Sequence, residues 1–89
     1  MTTVEFASNL RRHVDCPRQN VAPGSLRSVL ETALADTPEL AYYVFDDQGC
    51  VRKHVAVFVN EDMVPDRRSL DRALGADDRV LVIQALTGG

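Results

Sequence analysis

Two segments near the N-terminus have the alternating pattern of β-strands. In residues 2–7 the apolar side chains of Val4 and Phe6 alternate with polar ones, which is typical of a strand that is buried on one side. Residues 12–21 form a second candidate strand, but Pro17 has no backbone N–H to donate to a neighbouring strand. We therefore expect the second strand to be interrupted near Pro17 or to lie there at an edge of the sheet.

The next segment has the periodicity of an amphipathic helix. Its apolar positions recur every three or four residues, at Leu26, Val29, Leu30, Ala33 and Leu34. Ser25 immediately precedes them and is the predicted N-cap. Because only one side of this helix is apolar, we expect it to lie across a sheet. A shorter helix is predicted to begin at Pro38, with the hydroxyl of Thr37 as its cap. Its apolar side chains would be Leu40, Tyr43 and Val44.

The middle of the chain predicts a turn, a strand and a hairpin. Residues 46–49 form an acidic turn, after which Val51 could begin a small hairpin arm. In residues 54–60 the side chains alternate, so that three valines share one face and Ala56 and Phe58 share the other. A tight turn at residues 60–62 and a brief return strand at 63–64 should follow.

The C-terminal part predicts a helical turn and a last strand. Ser69 would cap the helical turn, and Gly75 would end it in a left-handed conformation. Its inward side chains would be Leu70, Ala73 and Leu74. After a polar loop at residues 76–78, the β-branched and aliphatic run at 80–83 is typical of a strand. The sequence then ends in Gly88 and Gly89.

These elements predict an α+β roll in which one main helix packs on one face of a mixed sheet of four to five strands. The first and last strands are expected to be neighbours at the centre of the sheet. The alternation would direct four valines towards the helix, at positions 57, 59, 80 and 82. It would then place on the opposite, outer face Phe58, Leu81 and Ile83.

Composition narrows the class of protein. A chain of 89 residues is long enough for one domain with one core. A net charge of -3 and a pI near 5.2 argue against a nucleic-acid partner, since no basic excess is available to neutralise phosphates. The two cysteines, Cys16 and Cys50, are too few for a disulfide framework or a zinc site. With no signal-like or membrane-spanning apolar run, the sequence predicts a cytoplasmic protein.

The polar residues do not form a recognisable catalytic or metal site. His13 and His54 have no cysteine or carboxylate at metal-ligand spacing. The acidic pairs at residues 46–47, 61–62 and 77–78 all fall at predicted turns, where aspartate hydrogen-bonds to nearby backbone. We therefore expect no catalytic residue and no metal ligand in this chain.

The order of elements, completed by a final strand and a terminal diglycine, resembles the ubiquitin-like β-grasp fold. Within it, the chain is most similar to the bacterial sulfur-carrier family of the ThiS and MoaD type, over nearly its whole length. The matching stretches are residues 54–60 with the acidic turn 61–62, residues 70–74, and the acidic loop 76–78 before the last strand. Family tails commonly have a proline where this chain has residues 84–86. The insertion at residues 36–53 resembles the longer family members, some of which supply sulfur to cysteine or to sulfur-containing metabolites.

The resemblance implies a role for the C-terminus. In this family an ATP-dependent activating enzyme adenylates the terminal carboxylate, which a sulfur donor then converts to a thiocarboxylate. Gly89 would hold the sulfur, and Leu86, Thr87 and Gly88 would complete the tail. The chain would be a β-grasp domain over residues 1–87 with a flexible tail at 88–89. It would bind no cofactor itself, since its partner consumes the ATP. It would be a co-substrate and not an enzyme, with the activating enzyme and a sulfur-accepting synthase as partners.

A tail that threads into a partner must be ordered, so binding energy has to come from elsewhere. Immobilising four residues costs about 1–2 kcal/mol each. The three outer-face side chains Phe58, Leu81 and Ile83, worth about 1.5–3 kcal/mol each when buried, match that cost in scale. An apolar cluster beside such a tail indicates a docking surface. The alternative is that the insertion at residues 36–53 covers this face.

Two other functions fit the same sequence. The chain could be a ubiquitin-like protein modifier whose Gly89 is joined to a lysine of a target. It could also be a small non-catalytic subunit of a synthase complex, whose tail enters the partner's active site without being activated. The sequence does not identify the sulfur donor, the final acceptor or the oligomeric state.

Overall fold

The computed structural model describes residues 1–7 and 18–84. Within these ranges the chain forms seven strands and two helices. The strands are β1 (Thr2–Phe6), β2 (Gln19–Val21), β3 (Gly24–Ser25), β4 (Val55–Val59), β5 (Asp62–Met63), β6 (Ala73–Leu74) and β7 (Arg79–Gln84). The helices are α1 (Leu26–Leu34) and α2 (Pro38–Val44). The predicted α+β roll is confirmed.

The main sheet has five strands in the order β2-β1-β7-β4-β5. β1 and β7 are parallel neighbours near its centre, whereas β1 with β2, β7 with β4 and β4 with β5 are antiparallel. The predicted central pairing of the first and last strands is therefore confirmed. β2 is an edge strand, and the part of the predicted strand around Pro17, at residues 12–17, lies outside the described residues.

α1 forms where the apolar periodicity predicted it. Ser25 is its N-cap, and its hydroxyl oxygen accepts a hydrogen bond from the backbone N–H of Ser28 at 3.1 Å. All five residues of the predicted apolar stripe are buried. They meet the inward side chains of the central strands, which include Val4, Phe6, Val57, Val59, Val80 and Val82. This one core lies between the helix and one face of the sheet.

The insertion at residues 36–53 packs on the helix side of the sheet. Its buried side chains Leu40, Val44 and Val51 join the same core as α1. An antiparallel bridge between Phe45 and Val51 closes the acidic turn, so the predicted hairpin arm is confirmed. α2 begins at Pro38 with Thr37 as its N-cap residue, as predicted, but the expected capping hydrogen bond to the Thr37 hydroxyl is not formed.

The predicted helical turn at residues 69–75 is wrong. Ser69 caps nothing, because the carboxylate of Asp66 accepts the backbone N–H groups of residues 68–70. Leu70 has φ +52°, a left-handed conformation that ends a right-handed helix. Ala73 and Leu74 form β6, which pairs with β3, and Ala73 is exposed. Gly75 is not in the left-handed region; among the described glycines, Gly49 has the positive φ.

Candidate functional site

The outer face of the sheet is crossed by a row of side chains from four adjacent strands. The register sets them side by side in the order Glu5, Leu81, Phe58 and Met63. Leu81 is 38% exposed and Met63 56% exposed, while Phe58 is half-buried. Ile83 follows two residues after Leu81 on β7 and is opposite Ala56. The structure thus places Phe58, Leu81 and Ile83 on the face away from α1, as the alternation predicted.

These side chains line an open concavity of about 640 Å³. Its apolar floor is Phe58, Leu81 and Ile83, and its charged margin is Glu5, Glu61 and Arg79. None of residues 36–53, all of which are described, lines this concavity. The insertion therefore does not provide its walls, contrary to the alternative considered for this face. Docking of a partner on this face stays a prediction.

A hydrogen-bonded corner fixes one end of the concavity. The side-chain amide of Asn60 donates to Asp78 Oδ1 at 2.7 Å, and its oxygen accepts the backbone N–H of Arg79 at 2.9 Å. Asp78 Oδ2 accepts the N–H of Gly75 at 2.7 Å, which with the Asn60 bond holds the pKa of this carboxyl below its ordinary value. Both residues were expected only to form turns; the bond between them joins positions 18 residues apart, which local sequence patterns do not reveal.

The turn beside this corner has a strained residue. Asn60 and Glu61 join β4 to β5 in a two-residue loop with φ +50° and +77°. Positive φ at both positions is the geometry of a type I′ turn, which favours asparagine first and glycine second. Glu61 therefore holds a conformation that suits glycine better. Its side chain lines the concavity.

The base of the tail is the end of β7. Gln84, the last residue described there, pairs with Val55 of β4. β7 lies between β1 and β4, so the chain leaves the sheet from an interior strand. The predicted tail residues Leu86, Thr87, Gly88 and Gly89 lie outside the described residues. Their proposed chemistry is not tested by the geometry.

Asp46 and His54, two other polar residues considered as possible acids or metal ligands, make contacts within the fold. The carboxylate of Asp46 accepts the N–H groups of Gln48 and Cys50, each at 2.9 Å. The Cys50 bond is the main cause that lowers the pKa of Asp46. His54 packs edge-on against Tyr43, with ring centroids 5.0 Å apart. Residues 1–7 and 18–84 contain no group of three potential metal ligands. His13 and Cys16 lie outside these ranges.

Comparison with known proteins identifies the fold and the family. The sequence model of the ThiS family matches residues 14–89. No curated protein sequence gives a significant match. In addition, no helix of the described residues is long and apolar enough to cross a membrane.

Three solved structures are similar to the chain over nearly its full length. The crystal structure of the Amycolatopsis orientalis BexX/CysO complex matches with a TM-score of 0.79 and 15% identity, covering 100% of both chains. Mycobacterium tuberculosis CysO matches with a TM-score of 0.78 and 21% identity over 97% of this chain and 100% of that one. The small archaeal modifier protein 1 of Methanosarcina acetivorans matches with a TM-score of 0.79 and 19% identity, covering 99% and 95%. Their shared architecture confirms the ubiquitin-like β-grasp fold, and the family match over residues 14–89 shows that the chain belongs to the ThiS family.

Proposed function

We propose that this protein is a sulfur carrier whose terminal Gly89 is adenylated by an activating enzyme and converted to a thiocarboxylate. The thiocarboxylate then donates its sulfur in the biosynthesis of cysteine, a cofactor or a sulfur-containing metabolite. The protein is a co-substrate in this scheme, and the partner enzyme uses the ATP. It works in the cytoplasm with the activating enzyme and a sulfur-accepting synthase.

The observation that carries this proposal is the extent of the family match. It runs through the core and includes the last residue, Gly89. The reactive end would therefore be attached to a rigid support, because β7 is hydrogen-bonded on both sides, to β1 and to β4. Glycine lacks a Cβ, so Gly88 and Gly89 can fit a channel too narrow for other residues.

The chemistry requires two steps at the terminal carboxyl group. A carboxylate is a poor acyl donor, so one carboxylate oxygen of Gly89 first attacks the α-phosphate of ATP and displaces pyrophosphate. A donor at the level of hydrosulfide (HS⁻) then attacks the carbonyl carbon of the resulting acyl adenylate; a C–S bond forms, the C–O bond to AMP breaks, and the thiocarboxylic acid loses its proton. The product is an anionic sulfur atom attached to a protein, which is the reactive form in thiol chemistry.

The outer face supplies the docking energy in this proposal. Phe58, Leu81 and Ile83 form an apolar floor with charged groups at its margin, and Leu81 is substantially exposed. Because these side chains are already partly buried in the free domain, covering the rest of each contributes less than the roughly 1.5–3 kcal/mol of full burial and offsets part of the ordering of the tail. The activating enzyme would cover this concavity while it holds the tail.

Intact-mass measurement tests the proposal. The chain is incubated with its cognate activating enzyme, Mg²⁺-ATP and a sulfur source, and the expected result is exchange of one oxygen for sulfur at Gly89. A variant lacking Gly89 is the matched control; it should still bind the enzyme but release no pyrophosphate. Sulfur incorporation in this truncated variant, or none in the intact chain, would contradict the proposal.

A protein-modifier function is the second candidate. The structural similarity to a small archaeal modifier protein, with a TM-score of 0.79, favours keeping it. In that case the same incubation, with a cell extract in place of the sulfur source, would join Gly89 to lysines of other proteins. Such conjugates in the absence of sulfur transfer would favour the modifier over the carrier.

A further inference from the structure

The chain has an unusual distribution of basic residues. Of its ten lysines and arginines, nine are arginine and only Lys53 is lysine. A neutral lysine amine can attack an activated acyl group, whereas an arginine guanidinium stays protonated and is not a nucleophile. Besides the α-amino group of Met1, Lys53 is thus the only primary amine that an activated Gly89 could acylate within this protein.

Lys53 is presented on a rigid turn. The backbone N–H of Val55 donates to the carbonyl of Arg52 at 3.1 Å, which closes the turn around Lys53. Nη1 of Arg67 donates to the same Arg52 carbonyl and to that of Val55, both at 2.7 Å. Nε of Arg52 in turn donates to the carbonyl of Tyr42 at 2.9 Å. The two neighbouring guanidinium groups are thus fixed to backbone, while the Lys53 side chain is exposed.

The turn also lies beside the base of the tail. Val55 pairs with Gln84, and Lys53 is only two residues before Val55. Five residues follow Gln84, and extended they span at most about 17 Å. Lys53 lies no more than about 7 Å along the same direction. A fully extended tail would carry Gly89 of the same copy about 10 Å past the backbone of Lys53, which is farther than its four-carbon side chain reaches.

We propose that Lys53 is the acceptor site at which an activated Gly89 of a second copy of this chain forms an isopeptide bond. This inference rests on the proposed activation of Gly89. The neutral Nζ of Lys53 attacks the carbonyl carbon of the Gly89 adenylate; a C–N bond forms, the C–O bond to AMP breaks, and Nζ loses a proton. No redox reagent is required. The sulfur donor and Lys53 thereby compete for the same acyl adenylate.

The test is an incubation of the chain with its cognate activating enzyme and Mg²⁺-ATP, without a sulfur source. Intact mass should show a covalent dimer equal to two chains less one water. Trypsin cleaves after Arg79, so peptide 53–67 should carry residues 80–89 on Lys53. Lys53→Arg should abolish the dimer and leave the first turnover of pyrophosphate release unchanged. The double variant Arg52→Lys/Lys53→Arg moves the amine by one residue and should not restore it.

The outcomes distinguish failure of this inference from failure of the proposed activation of Gly89. Pyrophosphate release without a dimer, or dimers of the Lys53→Arg variant linked through Met1, would refute the inference and leave the sulfur-carrier proposal standing. A monomer lighter by one water, with Lys53 joined to its own Gly89, would refute the second-copy assignment. Absence of pyrophosphate release from the wild-type chain would refute both.

Discussion

Val57 and Phe58 are neighbours on β4 but face opposite sides of the sheet. Aspartate substitutions at these two positions can therefore test docking separately from folding. Val57 is 3% exposed and faces α1, so Val57→Asp places an unpaired carboxylate in the core. That costs several kcal/mol, against a total stability of about 4–13 kcal/mol expected for a domain of this size. Phe58→Asp places the same charge on the half-buried outer face, where about 1–2 kcal/mol should be lost. Val57→Asp should therefore be unfolded and Phe58→Asp folded, as urea denaturation and circular dichroism will show.

The effect of Phe58→Asp on binding follows from the area that the partner would cover. Phe58 is already half-buried in the free domain, so losing the burial of its remaining surface and covering an unpaired carboxylate instead should together remove about 1.5–3 kcal/mol. Affinity for the activating enzyme should therefore fall roughly 10- to 150-fold, as measured by calorimetric titration. Ser28→Asp is a matched control, because it adds the same charge at an exposed position on the opposite side of the domain. It should leave the affinity unchanged.

Two results would contradict this reasoning. If Phe58→Asp unfolds the domain under conditions where the wild type is stable, Phe58 belongs to the core and the outer face is not free for docking. If the variant is folded but binds the activating enzyme as well as the wild type and the Ser28→Asp control, the partner uses another surface.

Two further predictions concern turns. Glu61→Gly should raise the free energy of unfolding by about 0.5–1 kcal/mol, because glycine adopts the observed φ of +77° without steric conflict. An unchanged or lower free energy of unfolding would show that the glutamate side chain stabilises the fold. The pKa of Asp66 lies below its ordinary value of 3.8, mainly because its carboxylate accepts the backbone N–H of Arg68 and those of two further residues. The stability that Asp66 contributes is therefore complete above pH 3.8 and is lost as the pH falls through the lowered pKa. Asp66→Asn should flatten the loss of stability in this acid range, and urea midpoints measured from pH 6 down to about 2 will check this; an equally steep loss in the variant would assign it to other carboxylates.

The sequence predicted those parts of the fold that depend on local periodicity. Val4 and Phe6 on β1 and the apolar stripe of α1 are buried as the alternation and the helical spacing required. The outer-face position of Leu81 followed from the same alternation. The central pairing of β1 and β7 was also accessible, because one helix packed on one sheet leaves few arrangements for the strands.

The segment after Pro65 could not be predicted because distant residues determine its conformation. Backbone N–H groups of α1 bond to it, from Leu26 to the carbonyl of Arg72 and from Arg27 to that of Leu70, both at 2.9 Å. The Arg27 side chain donates to the carbonyls of Arg68 and Ser69. These bonds join positions about 40 residues apart in the sequence. Local spacing indicated a helical turn, but tertiary hydrogen bonds favour an irregular loop and a short strand.

The two faces of the sheet contribute unequally to stability, so substitutions on the two faces should have different effects. Val59 and Val82 face α1 and are fully buried, whereas Leu81, between Val80 and Val82, keeps 38% of its surface exposed. Because hydrophobic stabilisation scales with the area removed from water, the outer-face residues add less to folding than their neighbours. Their substitution therefore affects recognition more than the fold. Exposed residues of the outer face, such as Leu81, can therefore change while the core side of the same strands is kept.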